Sequence, residues 1–299
     1  AIWDDNARCG RRAAKAFGAP FKQKLETFFA ADLDGVIVCS ENVHHREHVE
    51  QAAAAGLWVL CEKPLAPEAA DAQAMIRACR KAGVGLGVAF PCRFVPPIQQ
   101  AQAELMAGTY GNVLAVSATN NGSFPGGWFA DDALAGGGAV MDHTVHVADV
   151  LRWILGREFT RVYCEAGNQL HKKKIDTDDL GVLQLEMEGG VQVSHTASWS
   201  RPESFPTWGD VTLEIVCEGG VVSVDAFNQK VHRFSDRDGS VAWVPFGSDA
   251  NRALVNDFVR AIEERRDPLA SGEDGLRATQ VTVAAYESWR AGKPVRIKK

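Results

Sequence analysis

The 299-residue sequence contains no apolar run approaching the ~18 residues of a membrane span, so no membrane partner is expected. Its seven cysteines, Cys9, Cys39, Cys61, Cys79, Cys92, Cys164 and Cys217, include no CxxC pair, which removes the usual zinc and dithiol motifs. Several lie in apolar runs such as VIVCS and WVLCE and read as reduced core residues of a cytoplasmic protein. Positive charge is scarce: the net charge is −6, and no basic stripe exists beyond Lys172-Lys173-Lys174, which argues against nucleic acid as a partner. No GxSxG elbow supports Ser-His-Asp hydrolysis. The glycine-rich GxGxxG loop of a dinucleotide fold is missing as well.

What is present is a long, ordinary globular chain, 46% hydrophobic and 23% charged, enough for two domains. In the first ninety residues helix-like and strand-like segments alternate. Helices are expected at 8–17, 22–30, 44–55 and 67–82, with buried strands at 35–40, 57–61 and 83–90. This alternation predicts a parallel, doubly wound sheet, which binds ligands at the carboxyl ends of its strands. AIWDD reads as the end of a strand followed by acids, the place of the ribose-binding carboxylate. The expectation is therefore a Rossmann-type sheet lacking its first strand and glycine loop, about 30 residues upstream of Ala1.

From about Arg93 the pattern changes. A helix at 94–107 and a strand at 112–119 lead through a Gly-rich loop into a further helix, and then to RVYCEAG, LGVLQLEME, VQVSHTASWS, DVTLEIVCE, VVSVDAF and KVHRFS. Gly189-Gly190 and Gly219-Gly220 are hairpin signals. Helices at 250–265 and 273–290 and the tail GKPVRI follow. The fold class is α/β, with an incomplete dinucleotide-binding unit over 1–92 and an α/β unit with a mostly antiparallel, open-faced sheet over 93–299. Alternating apolar positions in VLQLEME and TLEIVCE predict a covered face, hence a homodimer or homotetramer packed through the open sheet.

The segment GGGAVMDHTVHVADVLRW, 136–153, places Asp142, His146, Asp149 and Trp153 on one helical stripe beside an apolar flank of Met141, Val145 and Ala148. A carboxylate one turn from a histidine can fix its tautomer, as an acid/base pair requires. Residue types alone leave open a polar face turned to water. Gly136, Gly137 and Gly138 lack Cβ atoms, so backbone there can approach a ligand or merely form a flexible helix entry. Trp128, Phe129, His143, His195 and Trp199 are candidates for a sugar pocket. His44 and His48 have i, i+4 metal spacing, but no third ligand is evident and no metal is expected.

CSENVHH, GLWVLCEKPLA, FPCRFVPP and AGGGAVMDHTVHVADVLRWILG, in that order and spacing, resemble the Gfo/Idh/MocA oxidoreductases over the whole chain. The resemblance implies an enzyme that exchanges hydride between NAD(P) and a secondary alcohol of a sugar, cyclitol or related polyol. It implies Lys63, Asp142 and His146 as the catalytic set. It implies cofactor contacts at Asn42, His45, Glu62, Lys63 and Arg93, to which the strand ends add Asp4 and Ser40, and substrate contacts at Lys63, Asp142 and His146, to which the sugar-pocket candidates add Trp128 and His143. Glu41 departs from the family pattern, which has proline there. A base must take the hydroxyl proton as hydride leaves, and His146 is the expected base, with Lys63 on the reacting oxygen and Asp142 orienting the histidine or gripping a hydroxyl. Asp4 favours NAD by repelling a 2′-phosphate, although Arg8, Arg11 and Arg12 keep NADP open. A non-catalytic binding subunit and an NAD-assisted glycosidase or lyase are the alternatives.

Overall fold

The computed structural model describes residues 1–298 apart from 173, 206 and 238, so Lys173 of the basic triplet lies outside the described residues. Asn6 starts α1 (Ala7–Phe17) by accepting from the amides of Arg8 and Cys9, and Gly18 closes it in the left-handed region. After a short α2 (Leu25–Phe29) come β1 (Gly35–Val38), α3 (His45–Ala54), β2 (Trp58–Cys61), α4 (Ala69–Ala82) and β3 (Leu86–Val88). The three strands pair in parallel in the order β1-β2-β3, as the alternation predicts. Where a strand end was expected at Ala1–Trp3, Ile2 makes a single parallel bridge to Phe21. Between that bridge and β1 opens a cleft of about 780 Å³, onto which the N-terminal acids and the carboxyl end of β1 converge.

The chain continues through α5 (Pro96–Met106), β4 (Val113–Ser123), α6 (Asp132–Ala135), α7 (Ala139–Leu155), β5 (Phe159–Gly167), β6 (Leu180–Met187), β7 (Gln192–Arg201), β8 (Thr212–Cys217) and β9 (Gly220–Asp225). It ends with β10 (Lys230–Ser235), β11 (Ser240–Pro245), α8 (Ala250–Glu264), α9 (Gly272–Ala291) and β12 (Val295–Arg296). Seven strands form one sheet, β12-β5-β6-β7-β4-β8-β9, antiparallel except for the parallel β4–β7 pair at its middle. KVHRFS leaves this sheet and pairs with β11 as a separate ribbon.

The premise for oligomerisation is corrected by the pleat. Leu183, Leu185 and Met187 of β6 and Leu213, Ile215 and Cys217 of β8 are buried on the inner face of a sheet against which α7 and α9 pack. The open face carries Ser117, Gln184, Ser194 and Glu214 with scattered Leu114, Val182, Val216 and Val221. The apolar alternation is thus satisfied within the chain. α8 returns to the N-terminal sheet, where Leu254 and Phe258 pack with Leu60, Ala89 and Phe94. Among the described residues, no helix is long and apolar enough to cross a membrane. All seven cysteines are free; five are buried, but Cys39 is exposed in the cleft wall and Cys9 is partly so, against the core reading.

Candidate active site

The three glycines before α7 serve packing of the chain on itself. A Cβ at Gly136 would meet Pro67 at 2.4 Å, and one at Gly137 would meet the Tyr286 hydroxyl at 2.6 Å. One at Gly138 would lie 1.8 Å from the Asp178 carbonyl oxygen. Backbone approach to a ligand is therefore not what these glycines provide. The start of α7 is capped by a residue forty positions away: Asp178 accepts from the amides of Gly138 at 3.2 Å and Val140 at 2.7 Å, and the Tyr286 hydroxyl donates to Asp178 at 2.6 Å. Sequence reasoning missed Asp178 and Tyr286, because a cap supplied by a distant loop leaves no local pattern.

α7 is buried around almost its whole circumference, so its polar stripe meets protein groups and not water. Asp142 forms an ion pair with Lys63, whose ammonium also donates to the Asp142 carbonyl oxygen at 3.2 Å. The other carboxylate oxygen, Oδ2, accepts from Trp199 Nε1 at 2.9 Å and stands 3.1 Å from His143 Nε2. Both oxygens have protein partners, and no hydrogen bond joins Asp142 to His146 among the described residues. Burial pushes the Asp142 carboxyl up, but the charge of Lys63 and the His143 imidazole outweigh it and hold the group well below the usual carboxylate range. One turn on, burial and then Lys63 hold His146 well below the usual histidine range. Its ring meets Phe90 edge-on at 6.1 Å, and its Nδ1 is buried without a partner. The result is an ammonium held by a carboxylate beside a neutral imidazole with a spare nitrogen.

The loop that delivers Lys63 follows β2, and His45 fixes it. The His45 ring is fully buried, with Nδ1 at 3.0 Å from the Pro64 carbonyl and Nε2 at 3.1 Å from that of Ser40. Asn42 is also buried and donates to the Ala135 carbonyl at 2.8 Å. Neither side chain is available to a cofactor; both tie the carboxyl end of β1 to the lysine loop and to α6. Glu62 is half-buried beside Lys63, and burial raises its carboxyl. Asp4 and Ser40 line the cleft, with Asp4 accepting from the Asn6 amide at 2.8 Å and Ser40 Oγ 2.9 Å from His48 Nδ1. Asp5, Glu41 and Glu47 line it too. Trp128 borders the same cleft, stacked on Phe129 at 3.9 Å.

Two models of known families match this chain. Residues 1–90 fit the oxidoreductase family with an NAD-binding Rossmann fold, and residues 98–223 fit the GFO/IDH/MocA C-terminal domain. The chain belongs to the Gfo/Idh/MocA oxidoreductase family. It is similar to D-xylose 1-dehydrogenase (NADP(+)) 2 of Haloferax volcanii, 32% identical over 91% of this chain and 83% of that protein. Inositol 2-dehydrogenase of Acidothermus cellulolyticus is 31% identical, over 88% and 76% of the two chains. Among solved structures, GenD2 from gentamicin A biosynthesis in complex with NAD superposes with a TM-score of 0.90 at 25% identity, covering 100% of this chain and 89% of that one. Like its family, this protein is an NAD(P)-dependent oxidoreductase.

Not every expected contact survives in this Gfo/Idh/MocA protein. Arg93 is 3% exposed and turned away from the cleft, bonded through Nε and Nη2 to Asp149 at 2.9 and 2.5 Å and through Nη1 to the Leu269 carbonyl at 2.7 Å. A guanidinium buried with those partners is held in place by the protein, its ion pairs tying the segment before α5 to α7 and α9. His143 is fully buried with Nδ1 on the Asn120 carbonyl at 2.7 Å, so it is not a substrate contact. His195 is likewise buried beneath α7, and Trp199 spends its N–H on Asp142, so neither forms a sugar wall. His44 and His48 have ring centroids 6.2 Å apart. Among the described residues no three His, Cys, Asp or Glu side chains are arranged to hold a metal ion.

Proposed function

We propose that the protein is an NAD-dependent dehydrogenase of a secondary alcohol in a sugar, cyclitol or related polyol. The observation that carries this reading is the convergence of Lys63, Asp142 and neutral His146, the first two 79 residues apart in sequence. The cleft fits the nucleoside parts of the cofactor: its volume, its Asp4 carboxylate and the absence of a cation among its lining groups other than the histidines suit ribose hydroxyls and not a 2′-phosphate. Bound nicotinamide supplies the hydride acceptor.

The chain's own groups do the rest. Lys63, held by Asp142, hydrogen-bonds the reacting hydroxyl oxygen and stabilises the negative charge that develops there. His146 accepts the hydroxyl proton, which it can do because burial and Lys63 keep it neutral. The relatives named xylose and inositol dehydrogenases support a polyhydroxylated substrate. The test is NADH formation at 340 nm across a panel of cyclitols and aldoses, with NAD and NADP in parallel. His146→Gln and Lys63→Met are each expected to lower kcat about 100-fold or more, with NADH affinity changed far less for His146→Gln. Wild-type activity with no loss in either variant would remove these residues from the mechanism.

A further inference from the structure

The indole of Trp199, on β7 of the large sheet, donates to Oδ2 of Asp142 at 2.9 Å, while His143 Nε2, from α7 itself, stands 3.1 Å from the same oxygen, and both rings are buried. The Trp199 side chain is almost fully buried on β7, its ring 5.4 Å from that of Phe124. Its backbone is clamped on both sides, the amide donating to the Asp179 carbonyl at 2.8 Å and the carbonyl facing His171 Nε2 at 3.1 Å. Asp179 in turn accepts from the amides of Gln169, Leu170 and His171, which fixes the loop that clamps the tryptophan. His143 is pinned from β4 by the Asn120 carbonyl. β4 and β7 are the parallel pair at the middle of the sheet, so the indole donor rests on its most supported part.

Resting on the dehydrogenase reading above, we propose that Trp199 is a positioning residue that commits Oδ2 of Asp142 and thereby holds Oδ1 on the Lys63 ammonium. A carboxylate with Lys63 as sole partner is free to rotate about χ2 and carry the ammonium with it. With Oδ2 anchored by a rigid indole, the oxygen facing Lys63 is fixed, and so is the ammonium that meets the reacting oxygen. The titratable groups around Asp142 are Lys63 and Glu62 from the loop after β2 and His143 and His146 from α7, with His195 facing His143 from β7. None of these duplicates the indole, which stays a donor at every pH.

Trp199→Phe keeps an aromatic ring in the buried place while removing the N–H together with the five-membered ring that carries it. It is expected to lower kcat about tenfold or more while KM for the polyol stays within about twofold, because the indole touches Asp142 and not the substrate. The acid limb of the kcat profile moves to higher pH, since the carboxylate loses a donor to its charged form. A wild-type kcat and pH profile in Trp199→Phe would overturn the assignment. A second readout needs no turnover: among the eight indole N–H signals of ¹⁵N-labelled protein, the one lost in Trp199→Phe must shift in Asp142→Asn. An unmoved signal overturns the proposal even in an active enzyme. Should wild-type protein reduce no NAD with any polyol, the dehydrogenase reading fails by itself, and the indole shift still decides whether Trp199 holds Asp142.

Discussion

Gly138 leaves no room for a methyl group, because three backbone atoms of Asp178 lie within 2.9 Å of where its Cβ would be. Backbone cannot swing aside as a side-chain tip can, so Gly138→Ala must move the loop that caps α7 or the helix itself. The expected cost is about 3 kcal/mol or more, read as a drop in Tm, with Gly18→Ala a milder control whose Cβ meets nothing within 4 Å. A Gly138→Ala protein as stable as wild type would show that the cap is not tight. The glycine triplet was visible in the sequence and its consequence was not, since Pro67, Asp178 and Tyr286 approach it from three distant segments. The same holds for Asp142 and His146. Helical spacing puts them one turn apart, but which of them meets a lysine, an indole or nothing depends on groups that sequence distance hides.

At the scale of elements, α7 is held to its neighbours by buried ions. Arg93, just before α5, pairs with Asp149 of α7 and, at 3.0 Å, with Asp274 at the start of α9; Arg152 of α7 reaches the same Asp274 at 3.1 Å and Glu158 at 2.7 Å. Burial pushes the Asp149 carboxyl up to about 6 despite the pull of Arg93. Removing the guanidinium leaves Asp149 buried and unpaired, so Arg93→Met is expected to destabilise the fold by about 3–5 kcal/mol. Near-wild-type KM for NAD in the folded fraction is the companion result; a large rise in that KM with unchanged Tm would return Arg93 to the cofactor. Periodicity made the helices and most strands legible, including the parallel order of β1, β2 and β3. It did not reveal the β10–β11 ribbon, whose two strands alternate like sheet members yet pair only with each other.

The molecule as a whole carries its histidines in an unusual state for acid conditions. His45, His146 and His195 are buried and each is held below the usual histidine range by burial first of all, His195 at about 4. The unfolded chain takes up these protons near pH 6.5 and the folded one only at lower pH, His195 at about 4, so below 6.5 these rings bind more protons in the unfolded state and their contribution to stability falls as pH falls. At pH 5 the loss for His195 alone is about 2 kcal/mol. Asp149 works in the opposite sense over about 6 to 4, where the folded state holds the extra proton, and so do Asp4, Glu62 and Asp178, raised by burial, while His48, lowered by burial, adds to the histidines; the upper part of the window belongs to the histidines. Asp142, held low by Lys63 and His143 against burial, loses its contribution only at pH values beneath this window. Urea unfolding at pH 7.5, 6.5, 5.5 and 5.0 is therefore expected to show a midpoint that drops steadily below pH 6.5. His195→Leu removes one titrating group and must flatten that slope by up to one proton, whatever it does to stability at pH 7.5. A pH slope left unchanged by His195→Leu would mean that this ring is protonated in the fold.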